Sequence, residues 1–138
     1  MNNIRYRKEI DRRLPQLARY DALTRLPNRA LFYESLRKII KQAETNQRIV
    51  SILYLDIDNF KSINDTLGHA LGDELLRQFS LRLLECLRIR DMIARLGGDE
   101  FGCILITPDG SGDAGIVASK LREALRQPFM LSGHQVTV

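Results

Sequence analysis

This sequence predicts an α/β sandwich, a mostly antiparallel central sheet flanked by helices. Three observations carry that expectation. The chain has 138 residues and is 44% hydrophobic, enough for one core and too little for two. Its apolar residues alternate between helical spacing and short continuous runs in the order α, β, α, α, β, β, α, β, with no internal repeat. Gly97-Gly98 and Ser132-Gly133 sit between apolar runs where hairpin turns belong.

Over residues 4–23, Ile10, Leu14 and Leu17 recur at helical spacing among many charges, which predicts an exposed amphipathic helix interrupted at Pro15. Residues 1–20 thus read as a connector: either the frayed end of a longer protein, or a helix that pairs with its copy and relays a signal from an upstream sensor domain. Asn28 is placed to cap a helix over 29–44 whose buried face holds Leu31, Phe32, Leu36, Ile39 and Ile40. Residues 49–56 are too continuously apolar and too few for a solvated helix, and predict a central strand. A short helix over 59–67 closes at Gly68. A longer one over 70–87 places Leu71, Leu75, Leu76, Phe79, Leu83, Leu84 and Leu87 in a core stripe. Residues 92–96 and 101–106 flank the glycines as a hairpin, 108–112 form a loop, 113–126 a helix, and 129–138 begin a second strand pair.

No apolar run approaches a membrane span, and the opening MNNIRYRKEIDRR lacks the apolar stretch of a secretion signal, so a cytoplasmic chain with no membrane segment is expected. Cys86 and Cys103 are too few for a disulfide framework or zinc site and read as buried reduced thiols. The net charge of +4 comes largely from the Arg-rich beginning and does not argue for nucleic acid.

The segment RLGGDEFG (95–102) sets two carboxylates on a tight turn, where glycine and at most one short polar residue would suffice. Asp56 ends the strand over 49–56, with Asp58 two residues on. If the hairpin neighbours that strand, three or four carboxylates converge at one sheet edge, and their repulsion raises their pKa values unless a cation intervenes. Mg²⁺, which takes carboxylate, water and phosphate oxygens, suits such a site. Asp58 reads better as a helix cap than as a ligand, and Asp99 and Glu100 alternatively as solvated turn charges. The helix start offers the backbone N–H groups of Asn59 and Phe60 to an anion such as a metal-bridged triphosphate. Lys61 either adds charge there or is only solvated. An amide and a carboxylate such as Asn64 and Asp73 can together read a guanine edge, the carboxylate accepting from N1–H and the exocyclic amine. On composition alone Asn64 is a surface residue and Asp73 a favourable first-turn charge.

Three motifs in order, DALTRLPNR (21–29), DIDNFKSINDTLGHALGD (56–73) and RLGGDEF (95–101), resemble the GGDEF-domain family of diguanylate cyclases, from about Tyr20 onward. Residues 21–138 read as that domain. The resemblance implies the palm-like fold of nucleotide cyclases and polymerases, and metal-dependent condensation of two GTP into cyclic di-GMP with loss of two pyrophosphates. It implies that Asp56, the Ile57 carbonyl, Asp99 and Glu100 hold Mg²⁺ or Mn²⁺. Asn64 and Asp73 would recognise guanine, the Asn59 and Phe60 backbone with Lys61 would hold phosphates, and Gly97 and Gly98 would let the nucleotide lie close to the turn. The chemistry implied is in-line attack of a ribose 3′-OH on an α-phosphate, with the base left open between Asp99 and Glu100. Each site holds one GTP, so two domains must face each other across a two-fold axis as a homodimer.

RIRD (88–91) matches the family's RxxD element for product inhibition, in which Arg88 forks onto a phosphate or guanine edge and Asp91 accepts from a guanine. The plain alternative is an (i, i+3) ion pair. The family's domain continues past residue 138 through a further helix and strand, so the chain reads as C-terminally truncated, with an exposed strand edge. The rival to an active cyclase is a non-catalytic module that binds GTP or cyclic di-GMP as a sensor or dimerisation domain. The intact signature favours the cyclase, and Asn64 with Asp73 disfavours a cyclase of another nucleotide.

Overall fold

The computed structural model describes residues 18–108 and 113–138. Its elements are α1 (Arg29–Asn46), β1 (Arg48–Asp56), α2 (Phe60–Leu67), α3 (His69–Cys86), β2 (Met92–Gly97), β3 (Glu100–Pro108), α4 (Asp113–Arg126), β4 (Phe129–Leu131) and β5 (His134–Val136). Residues 1–17 of the expected connector and 109–112 of the expected loop lie outside the described residues, and Pro108, expected in that loop, ends β3. From residue 18 to 27 the chain runs through turns and an isolated bridge between Tyr20 and Pro27, so the helix expected to reach Leu23 does not extend there.

α1 starts where its cap predicts: the Asn28 side chain accepts from the Leu31 N–H at 3.1 Å and satisfies one orphan donor. Phe32, Leu36 and Ala43 set its buried stripe, and Ile40 falls outside it and faces solvent. β1, β3 and β2 pair antiparallel in that order, with β3 central. The strand expected at the centre, β1, is instead an edge among the described residues, and Ile49, Ile52 and Tyr54 are exposed. Its apolar run suits a strand with covered faces, yet no β1 residue is fully buried. The run carried no information about hydrogen-bonded neighbours.

Period-two alternation along β3 divides the core in two. Phe101, Cys103 and Leu105 join Leu75, Phe79 and Leu83 of α3 and Leu121 of α4 on one face, while Ile104 joins Ala94, Leu96, Phe32 and Leu36 beneath α1 on the other. Within the stripe expected along α3, Leu84 is exposed. The β4–β5 hairpin docks on α3, where Phe129 stacks on Phe79 at 6.1 Å and Gln78 donates to the Met130 carbonyl at 2.8 Å. The Arg82 guanidinium lies 3.5 Å from the Phe129 ring centre and donates to the Ala124, Gln127 and Pro128 carbonyls, tying the end of α4 to the hairpin. Cys86 and Cys103 are buried and unbridged, and burial pushes the Cys103 thiol up to about 12. No described helix is long and apolar enough to cross a membrane.

Phe101 is wholly buried directly beside the acidic turn and packs on Phe79 with ring centres 4.9 Å apart. Phe101→Ala is expected to cost about 3–5 kcal/mol in urea unfolding followed by circular dichroism. Ile40→Ala, on the exposed side of α1, should stay within about 0.5 kcal/mol of wild type.

Candidate functional site

The β2–β3 connection is a two-residue turn over Gly98 and Asp99, with a bulge between Arg95 and Gly97. Gly98 adopts φ 40°, a left-handed value that an L side chain resists. A clamp from Arg95 holds the turn. Its Nε and Nη2 donate to the Gly98 carbonyl at 3.0 and 2.8 Å, and its Nη1 reaches the Asp21 carboxylate at 3.1 Å. The Asp21 carboxylate also accepts from the Thr24 N–H at 2.8 Å and the Thr24 hydroxyl at 2.7 Å. The Arg95 N–H donates to the Pro27 carbonyl at 3.0 Å. The first and third sequence motifs are therefore one physical unit. Burial pushes the Asp21 carboxyl up, but the bonds from Thr24 and Arg95 outweigh it and hold its pKa below the ordinary 3.8. Sequence reading assigned neither Asp21 nor Arg95 a role, because no spacing rule links two charges 74 residues apart.

Register then delivers the carboxylates. Asp56, last in β1, pairs with Glu100, first in β3, so their side chains leave one face of the sheet together. The Ile57 N–H donates to the Asp99 carbonyl at 3.2 Å and extends the pairing one residue. The Asp56 and Asp99 carboxyls come within hydrogen-bonding reach. That bond, partial desolvation and the charges of Asp99, Glu100 and Asp58 raise the pKa of Asp56. Two carboxylates this close favour a shared proton or a cation. The donors are all oxygens, a set that fits a hard divalent ion. Among the described residues, no three such side chains already surround one point. The structure thus joins Asp56 and Asp99 and brings Glu100 alongside without closing a cage.

Two clefts flank the turn. One of about 640 Å³ lies between the start of α1 and Gly97-Gly98, and another of about 400 Å³ is lined by Asp56 and Glu100 together with Tyr33 and Tyr54. Arg29 borders both, its guanidinium 5.6 Å from the Tyr33 ring centre. Sequence reading passed over these three residues, which helical and strand periodicity treat as ordinary face positions.

α2 begins at Phe60 with Asn59 as its cap residue in a left-handed conformation, φ 61°, and makes no side-chain capping bond. The Asp58 cap expected from the sequence is therefore not formed. Asparagine tolerates that conformation better than most residues, and the first N–H groups of α2 stay uncapped by any side chain. Lys61 is exposed beside them. Asn64, near the end of α2, meets α3 next to Asp73 across the Gly68 joint.

Arg88 and Asp91 lie at the opposite end of β2 and form the plain ion pair. Arg88 donates from Nε at 2.9 Å and from Nη2 at 3.0 Å to the two carboxylate oxygens. The Asp91 side chain is wholly buried; burial pushes its pKa up, but the Arg88 bonds outweigh this and lower it.

Residues 18–138 match the family model described as diguanylate cyclase, GGDEF domain. The chain belongs to the GGDEF-domain diguanylate cyclase family. It is 44% identical over 128 residues to the bifunctional diguanylate cyclase/cyclic di-GMP phosphodiesterase MucR of Pseudomonas aeruginosa, covering 93% of this chain and 18% of MucR. The GGDEF domain of TpbB from the same species superposes with a TM-score of 0.81 at 39% identity, covering 86% of this chain and 69% of that one. The GGDEF domain of DgcB from Caulobacter crescentus, solved in complex with cyclic di-GMP, superposes with a TM-score of 0.75 at 27% identity over 86% of this chain and 70% of that one. These likenesses bear out the expected fold. The GGDEF chain spans less than a fifth of MucR.

Because Asp21 titrates lower when folded, its stabilisation is complete above 3.8 and fades as pH falls below that value. Asp21→Asn should lose about 1–2 kcal/mol at pH 7, the lower figure reflecting solvent screening of a part-exposed pair. In urea titrations at pH 3 the gap to wild type should narrow.

Proposed function

We propose that this GGDEF domain is the catalytic unit of a metal-dependent diguanylate cyclase that condenses two GTP into cyclic di-GMP and two pyrophosphates. The observation that carries the reading is the meeting of the Asp56 and Asp99 carboxyls, with the raised pKa of Asp56 and Glu100 in register beside it. Asp56, the Ile57 carbonyl, Asp99 and Glu100 would hold Mg²⁺ or Mn²⁺. Such an ion, when bound, lowers the pKa of a ribose hydroxyl and offsets phosphate charge. The uncapped N–H groups of Asn59 and Phe60, with Lys61, bind the phosphates of GTP, and Asn64 and Asp73 recognise its guanine. Gly97 and Gly98 leave the nucleotide room against the turn. Asp99 or Glu100 accepts the 3′-OH proton.

One open site holds one nucleotide, so catalysis needs a second copy related by a two-fold axis. An upstream sensor in the parent protein would set that pairing through the connector, in a cytoplasmic setting where GTP is at hand. Product inhibition through Arg88 and Asp91 requires their ion pair to open toward cyclic di-GMP, the ligand in the DgcB complex. A second reading, a module that binds GTP or cyclic di-GMP without turnover, draws support from the absence of a preassembled three-ligand cluster among the described residues.

Incubating the chain, alone and extended at its C-terminus, with GTP and Mg²⁺ or Mn²⁺ should yield cyclic di-GMP by mass spectrometry from the extended protein. Asp99→Ala should lower the yield about 100-fold or more. GTP binding without product in the extended wild type would favour the sensor reading. Arg88→Ala should relieve inhibition by added cyclic di-GMP, and undiminished inhibition would reject that role.

A further inference from the structure

Asn64 and Asp73 belong to different helices, so guanine recognition needs something to hold an amide of α2 against the start of α3. The joint is tight: the Asn64 carbonyl accepts from the Gly68 N–H at 2.9 Å, and the Gly68 carbonyl accepts from the Gly72 N–H at 3.1 Å. Across it the Asn64 carboxamide rests on Gly72, which is buried in the first turn of α3, one residue before Asp73. A Cβ on Gly72 would lie 1.7 Å from Asn64 Oδ1 and 2.8 Å from its Cγ. The carboxamide occupies the volume that any other side chain would take.

No other demand accounts for glycine here. Its backbone is helical and free of the left-handed region, and glycine is a poor helix former. Neither the Asn64 carboxamide nor the Asp73 carboxylate hydrogen-bonds to a described residue. The amide is held by contact alone, with its donors and acceptor uncommitted.

We propose that Gly72 is a positioning residue for nucleobase recognition, its missing side chain forming the seat that presents the Asn64 carboxamide beside Asp73 to the guanine of GTP; this rests on the GTP-site reading above. In Gly72→Ala the obstructed atoms are the free end of a flexible side chain, so Asn64 swings away and the fold is kept. Guanine then loses one partner, while Asp73 and the phosphate-binding backbone are untouched.

The test titrates GTP–Mg²⁺ into wild type, Gly72→Ala, Asn64→Ala and the double variant by calorimetry. Thermal melts and side-chain amide NMR of the ligand-free proteins accompany it. Gly72→Ala should melt at or above the wild-type temperature, shift the Asn64 amide resonances without ligand, and weaken GTP binding about tenfold, as Asn64→Ala does. The double variant should be no weaker than either single one, since both remove the same contact. Unchanged affinity in folded Gly72→Ala, an unmoved Asn64 resonance, or losses that add in the double variant would overturn the proposal. A wild type that binds no GTP would instead overturn the ligand, and the resonances would separately report whether the seat exists.

Discussion

The antiparallel register between β1 and β3 decides where every charge of the acidic site goes. Asp56 faces Glu100 because Arg48 faces Pro108 eight residues earlier and the ladder runs unbroken between them. Side chains alternate faces, so a slip of one residue would send Asp56 through the sheet and leave Glu100 without its neighbour. Both apolar cores enforce the pairing: Cys103 and Leu105 must meet α3 and α4 while Ile104 meets α1. Hydrophobic burial far from the site thus supplies the constraint that places its carboxylates.

Three aspartates show what that placement costs. Asp21 and Asp91 each lie against an arginine, and each pKa is lowered despite burial. Asp56 lies against other carboxyls, and its pKa is raised. Asp21 braces the turn through Arg95, and Asp91 closes the link between α3 and β2 through Arg88. Of the three, Asp56 is the one left with repulsion from neighbouring carboxyls. The fold tolerates it because the Gly98 turn is held from behind by Arg95 and from below by Phe101.

The elements were legible in the sequence because each has a local signal: the Asn28 cap, the Gly68 stop, the glycine turn, and the helix over 113–126. What escaped was relational. β1 looked central because a continuous apolar run suits a strand covered on both faces, but the strand order β1-β3-β2 depends on partners the run cannot name. Asp58 looked like a cap because capping propensity is local, yet Asn59 took that position in a left-handed conformation. At the site, the acidic residues were readable from type and order. The Asp21–Arg95 clamp and the Gly72 seat were not, since each joins residues that only folding brings into contact.

In the proposed function, nucleotide recognition would divide between two devices placed at the two ends of one short stretch of chain. Asp56 ends β1, and four residues later Phe60 begins α2, so the chain passes from the acidic edge to the start of that helix with little slack. The proposed base end would be set separately by the α2–α3 joint at Gly68 and Gly72, and the proposed reacting end by the hairpin clamped at Arg95. A nucleotide that touches both is oriented along a rigid line. Because the two ends are built from different contacts, binding of the base and polarisation of the phosphates can fail independently. On that proposal, a domain of this kind would keep its grip on GTP after losing a carboxylate, or keep its acidic turn after losing its hold on guanine, without any change of fold.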